Sequence, residues 1–485
     1  MVTFVISLLL LVAGYFIYGR LTERIFGIDE KRTTPAYTKQ DGVDYVPMKS
    51  WRIFLIQFLN IAGLGPIFGA IMGAKFGTSS FLWIVFGCIF AGAVHDFLSG
   101  MILLRLGGVG LPEVHGKYLG NKVRVFMRYF TVLLLILVGA VFISGPAEIL
   151  AGLVGGNFNQ FFWIVVIFLY YVVATLVPID KLIGKIYPVF GFCLLFMAAG
   201  IMVALFVHHP QLPEIWNGLG NKMPDAVNNP IFPMMFVSIA CGAISGFHAT
   251  QSPLMARCLT NEKQARPIFY GAMITEGVVA LVWAAAASYL FYTPEGQVIA
   301  NGQSTTPASV VNILCNEWLG TVGAILAVLG VVAAPITSGD TAFRSARLII
   351  AESFNINQKP LMKRLSVAVP IFVLGLLVLI YSFKDKDGFA VIWNGFSWAN
   401  QFMAMVTLWA VTVCMAQNKK WIWVSLLPAL FMTMVCTSYL LISTKTGFGL
   451  PHWLGYLLSG GVTFSLLVWF FVWKKRNSNN FIPAL

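Results

Sequence analysis

The 485-residue chain is 58% hydrophobic and only 11% charged, with a mean hydropathy of +0.81. A soluble domain carries about 25% charged residues. This composition therefore excludes a cytosolic enzyme, a secreted disulfide scaffold, a disordered chain and a nucleic-acid binder, and leaves an all-α polytopic membrane protein. The net charge of +13, from 32 Lys and Arg against 19 Asp and Glu, fits the basic cytoplasmic loops of such proteins. Seven scattered cysteines without a CxxC pair read as small apolar residues.

A spanning helix needs about 20 mostly apolar residues. In chain order the sequence predicts about 13 transmembrane helices, at 2–19, 51–74, 80–104, 125–152, 161–178, 184–207, 231–256, 267–292, 318–343, 365–383, 389–416, 421–443 and 452–473. The first has its basic flank after it, so it reads as a span and not as a cleavable signal. Alternate connections hold 27 of the 32 basic residues, and the others hold only Lys75, Lys222, Lys384, Lys386 and Lys445. That alternation predicts an outside N-terminus and a cytoplasmic C-terminus at Lys474, Lys475 and Arg476. The longest connection, 20–50, is cytoplasmic; 208–230 and the partly ordered 293–317 are outside. None is long enough for a soluble domain, so 1–485 reads as one membrane domain with a frayed tail after Asn477.

Two spans are interrupted. Span 2 carries Ile61-Ala62-Gly63-Leu64-Gly65-Pro66-Ile67-Phe68-Gly69. Span 7 carries Ile239 to His248, with Gly242, Ser245 and Gly246, then Gln251-Ser252-Pro253. They lie five spans apart, so they run in opposite directions. Spans 3 and 8 echo each other in Gly92-Ala93-Val94-His95-Asp96 and Gly271-Ala272-Met273-Ile274-Thr275-Glu276. Spans 4 and 9 do so in Ile143-Ser144-Gly145-Pro146-Ala147-Glu148 and Ile336-Thr337-Ser338-Gly339-Asp340. This is an inverted repeat. Irregular backbone at membrane depth is tolerated only inside protein or along a cavity, and paired breaks in inverted halves point to a transporter's binding site.

The candidate chemistry follows from the breaks. Pro66 suits the first helical position after the break. The amides of Ile67, Phe68 and Gly69 would then be free to receive a carboxylate, and the carbonyls of Ala62 and Leu64 to face a cation. Gly63, Gly65, Phe68, Gly69, Ser245, Phe247, His248 and Gln251 are the candidate substrate-binding residues. Ala62, Leu64, Asp96, Thr337, Ser338, Asp340 and Thr341 are the candidate ion-coupling residues. Intramembrane ionisable groups are functional candidates by default, so Asp96 can carry a coupling proton, or else brace span 3 against span 2. Hydroxyls at Thr337 and Ser338 suit sodium, or else bond back to their own helix. His95, Glu148 and Glu276 are expected in polar networks, and Arg344 and Arg347 as anchors or acid partners. Glu113 and His115 are expected to be solvated. His208-His209 is too sparse for a metal site, so no metal and no cofactor are expected.

Asp41-Gly42-Val43-Asp44-Tyr45-Val46-Pro47, the broken span 2, Phe90 to Phe97 and Thr337 to Arg347 resemble the carbon starvation protein A (CstA) family over residues 1–440. The resemblance implies an uptake transporter for pyruvate or small peptides, coupled to protons, in a bacterial inner membrane. It also implies kinship with the amino acid–polyamine–cation superfamily and a five-plus-five (LeuT-like) core. The first repeat would be 51–208 and the second 231–416, with 1–50 and 421–485 peripheral. The expected function is ion-coupled symport of a small carboxylate-bearing solute by alternating access. Sodium coupling, a channel and an intramembrane enzyme are the alternatives. GxxxxGK[ST] does not occur in the sequence, so ATP coupling within the chain is not expected.

Overall fold

The computed structural model describes the chain except residues 42–44, 155–157, 177–182, 301, 303–304, 358–359, 385–387 and 479–485. The middle of the Asp41–Pro47 motif and the end of the tail lie outside the described residues. The main helices are α1 (Val2–Phe26), α2 (Ser50–Ile61), α3 (Gly65–Ala74), α4 (Ala93–Arg105), α5 (Leu111–Leu119), α6 (Asn121–Val154), α7 (Gln160–Leu176) and α8 (Ile183–His208). They are followed by α9 (Gly246–Ala256), α10 (Gly271–Tyr292), α11 (Pro307–Ser353), α12 (Leu361–Lys384), α13 (Gly388–Gln417), α14 (Trp423–Ile442) and α15 (His452–Asn477).

Among the described residues, ten helices are long and apolar enough to cross a membrane, and α2 with α3, bent by 49°, form an eleventh. Two expected spans differ from a plain rod. Gln160–Ala174 is a shorter apolar helix. The segment 231–256 is divided into Ile231–Met235, Phe236–Ser238, Ala240–Ala243 and α9. The expected outside connection 293–317 is largely helical, with a turn at Pro294–Ala300 and α11 starting at Pro307 and bending at Gly320.

Burial sorts the helices. The best membrane window of α13 is 94% buried, and those of 79–105, α6 and 262–292 are 83% buried. The values are 33% for α1 and 17% for α15, whose exposed apolar faces suit lipid. Loops that the charge alternation assigns to one side do meet. On the basic side, Arg105 binds Glu262 through two oxygens (2.9 and 2.8 Å) and the Gly27 carbonyl at 2.7 Å. On the opposite side, Thr78 and Ser79 donate to the carbonyls of Gly218 and Leu219.

Two proline-bearing helices form the other half of the interior. α11 packs along α6. Pro146 has no N–H to give the Phe142 carbonyl one turn earlier. The Tyr171 hydroxyl from α7 stands 3.2 Å from that carbonyl and 3.2 Å from the Pro335 carbonyl of α11.

Candidate functional site

The first break is a tight turn. α2 ends at Ala62 (φ −85°, ψ 58°), and Pro66 lies in the first turn of α3. The expected anion cradle does not form here. The Leu64 carbonyl accepts from both Ile67 N–H (3.2 Å) and Phe68 N–H (2.8 Å), because the chain re-enters the helix at once and uses those amides itself. Ala62, Leu64 and Phe68 have no solvent exposure. The Phe68 ring packs against Trp393 and Phe389 of α13, with centroids 5.8 and 6.3 Å away.

The second break is wider. Ile244 and Ser245 are fully extended, and α9 starts at Gly246. The cap comes from across the bundle. Asn400 Oδ1 on α13 accepts from Phe247 N–H (2.7 Å) and from the Ser245 hydroxyl (3.1 Å), while its Nδ2 donates to Cys241 Sγ (3.2 Å). Gly246 permits this approach, since a Cβ there would lie 2.5 Å from the Asn400 carbonyl and the Ala404 nitrogen. Asn400 was not among the expected site residues. Its signal was the polar pair Asn400-Gln401 inside an apolar span, where an unsatisfied amide is costly. Gln401 in turn donates to the Phe236 carbonyl at 2.7 Å.

The two breaks touch. A Cβ on Gly65 would lie 2.3 Å from Cys241 Cβ, and one on Gly69 would lie 3.0 Å from the Ser238 carbonyl. Any change in the angle of α3 must therefore pass to 238–243.

A chain of four ionisable side chains runs beside this contact. Asp96 on α4 holds His95 Nδ1 at 2.8 Å with one oxygen and His248 Nδ1 of α9 at 2.8 Å with the other. His248 Nε2 stands 3.1 Å from Glu276 Oε2 on α10. All four side chains have zero exposure. Asp96 therefore joins span 3 to span 7, not to span 2. The groups form a line of imidazole, acid, imidazole, acid, along which a proton can change owner with small movements. Among the described residues they do not converge as a metal cage. The helices that carry Asp96 and Glu276 both begin with wide, π-type turns, Trp83–Gly92 and Arg266–Tyr270. The Tyr270 hydroxyl takes the Ile89 carbonyl at 3.0 Å and ties the two together. Such turns often accompany functional sites.

The other candidates lie elsewhere. Thr337 and Ser338 hydroxyls donate to the Ala334 carbonyl (2.7 and 3.0 Å), and Thr341 donates to Thr337 (3.1 Å). Ser338 also reaches the Leu59 carbonyl of α2 at 3.5 Å. Asp340 Oδ2 is 3.5 Å from Arg344, whose guanidinium also binds the Ala174 carbonyl at 2.7 Å. Gln251 bonds Thr250 (3.1 Å), and Phe247 packs on Phe142. Gly63 lies against the Phe142 ring. Glu148 accepts from Thr306 at 2.6 Å and stays apart from the four-residue chain. Glu113 is solvated between Arg124 and Arg128.

His115 is not solvated. α5 is amphipathic, with Leu111, Val114, His115 and Tyr118 on its buried face, so the expectation of a solvated His115 fails. His115 Nε2 meets the Thr407 hydroxyl of α13 at 3.1 Å. Burial holds its imidazole down to about 3, helped by the nearby His95.

Comparison with known proteins agrees with this architecture. The carbon starvation protein CstA family matches residues 1–162, 148–316 and 296–439. An uncharacterized membrane protein of Haemophilus influenzae is 44% identical over 61% of this chain and 92% of its own length. The peptide transporter CstA of Bacillus subtilis is 26% identical over 95% and 93%. The pyruvate/proton symporter BtsT of Escherichia coli is 28% identical over 56% and 46%. Among solved structures, a mutant manganese transporter of Eremococcus coleocola superposes with a TM-score of 0.59 at 12% identity, over 89% of this chain and 95% of that one; this likeness shows the fold alone. The apolar helices, the paired breaks and the match along 1–439 lead to one conclusion: the chain is an integral membrane protein of the CstA family, a family of membrane transporters.

Proposed function

We propose that the chain is a proton-coupled secondary transporter that imports a small carboxylate-bearing solute, pyruvate or a short peptide, by alternating access. The observation that carries this reading is the buried line His95–Asp96–His248–Glu276 across α4, α9 and α10. Among the described residues no Lys or Arg takes part in it, so a proton can enter or leave without breaking a fixed ion pair. Its middle member, His248, sits on the half-helix that begins at the second break. A change in its charge alters the attraction between α9 and its two neighbours, and the Gly65–Cys241 contact conveys the motion to α3. Proton binding thereby biases the equilibrium between two states of different affinity. The inverted pairing of spans 2–6 with spans 7–11 supplies the two-fold relation that alternating access uses.

Sodium coupling would use Thr337 and Ser338 near the Leu59 carbonyl. The nearby carboxylate, Asp340, is already paired with Arg344, which favours the proton. The basic side is assigned to the cytoplasm of a bacterial inner membrane.

The test is uptake by purified protein in proteoliposomes. Labelled pyruvate and dialanine are compared under an imposed proton gradient, a sodium gradient and none. Accumulation of either solute under the proton gradient alone is expected. Accumulation under sodium alone, or of neither solute under any gradient, would overturn the reading.

A further inference from the structure

The breaks are closed to solvent, but a cavity lies above them on the side with few basic residues. It has a volume of about 560 Å³, within the usual range of ligand pockets, about 300–1,000 Å³. It is lined by Met72 of α3, Ser238 of the broken span 7, Asn394 of α13, Asn228 of the 208–230 loop, and the two lysines Lys75 and Lys445.

Three observations give the cavity a role. First, it leads to the breaks. Phe68 sits on α3 one helical turn deeper than Met72, and Ser238 offers its carbonyl to the surface of Gly69. On α13, positions 390 and 394 line the cavity, while Phe389 and Trp393, one residue back in each turn, press on Phe68. The three rings pack on one another beside the first break, with centroids 5.8, 6.2 and 6.3 Å apart. Second, the charge is unusual for this side. Only five basic residues fall in its connections, and two of them, Lys75 and Lys445, line this cavity, the Lys75 ammonium also lying 5.7 Å from the centre of the Phe291 ring. One acid, Asp225, is present, and Asn228 Nδ2 donates to both of its oxygens (3.2 and 2.9 Å). Third, part of the wall is polar: Asn394 brings a side-chain amide, beside the Asn228 amide that serves Asp225 and the Tyr439 and Ser443 hydroxyls that meet Thr446 at 2.6 and 3.0 Å.

We propose that this cavity is an outer loading site, which holds the carboxylate of an incoming solute between Lys75 and Lys445 before Phe68, Phe389 and Trp393 part to admit it to the breaks. The site precedes the proton-binding residues in the path and rests on the import reading above. Asp225 opposes a monoanion here, and Asn228 holds its carboxylate to one side. An exposed ion pair contributes up to about 1 kcal/mol, so each lysine is worth about three- to fivefold in apparent affinity.

Two measurements test it. The first needs no transport. Asn394→Cys, made with Cys193→Ser, is labelled in right-side-out vesicles by a membrane-impermeant maleimide. Pyruvate and dialanine are added as probes, with acetone as the uncharged control. At least one of the two carboxylates should slow labelling, acetone should not, and the protection should vanish when Lys75→Gln is added. Absence of protection by both carboxylates, equal protection by acetone, or labelling only from the basic side would overturn the proposal. The second measurement is uptake kinetics. Lys75→Gln and Lys445→Gln should each raise the apparent KM for pyruvate about three- to fivefold with Vmax kept, and Lys75→Arg should restore it. Asp225→Asn should lower KM by a similar factor, a gain that a merely damaged fold cannot produce. Unchanged KM in both glutamine variants would overturn the loading site. Failure of the wild type to accumulate any solute would instead overturn the import reading, and the labelling result would still decide the cavity.

Discussion

Two buried acids, Asp96 and Asp340, lie on different helices of the interior, and their surroundings differ in kind. Asp96 meets two imidazoles and, through one of them, a second carboxyl. Asp340 meets a guanidinium four residues along the same helix, which also clamps the Ala174 carbonyl. An imidazole has a neutral form that it can reach by giving up a proton, and a guanidinium in a protein does not. The first arrangement can change charge state without being dismantled. The second is a fixed tether whose loss leaves a buried cation. The lesson is that an acid's partner, more than its burial, decides whether it suits coupling.

The sharpest way to break this comparison is to neutralise each acid. A one-proton symporter at equilibrium concentrates solute about tenfold per pH unit of gradient. Asp96→Asn should reduce that ratio to one while solute counterflow continues. Loss of counterflow as well would assign Asp96 a structural role. Asp340→Asn should keep gradient-driven accumulation and instead cost about 1–3 kcal/mol of stability, read as a lower unfolding temperature in detergent. Uncoupling by Asp340→Asn would invert the assignment.

Smaller effects sharpen the picture around the break. Asn400→Ala removes the cap of α9 and should cost about 1–2 kcal/mol, with accumulation reduced but still proton-driven. A wild-type unfolding temperature would count against the cap. The smallest effect concerns His115. Its imidazole titrates lower in the fold than the usual 6.5, so the unfolded chain binds the proton first. The stabilising effect of burying it neutral is complete above pH 6.5 and is lost as the pH falls toward 3, at ~1.4 kcal/mol per pH unit. His115→Gln should flatten the acid side of the stability profile by that slope. Identical profiles would mean that the ring leaves its seat before it titrates.

Much of the architecture was legible because membranes constrain sequences strongly. The breaks at 62–64 and 244–245 were visible as glycines and a proline within apolar runs, and the charge alternation placed Gly27, Arg105 and Glu262 on one side. The pairing of Asp96 with His248 was not legible, because it depends on how three spans cross, and no local spacing encodes that. The amides at the start of α3 looked available because nothing in the local residues shows that Leu64 is already helical (φ −71°, ψ −20°) and so presents its carbonyl to them. Asn400 escaped notice because acids and histidines draw attention inside a membrane, while a neutral amide looks like filler. His115 was misplaced because its helix is only nine residues long and its apolar face was read as loop.

The Tyr171 phenol serves two carbonyls: that of Phe142 on α6, which Pro146 leaves without its helical donor, and that of Pro335 on α11. The two long helices are thereby linked where α6 lacks a bond of its own. Such a link resists separation of α6 from α11, so the pair suits the part that would stay still if α9 moves.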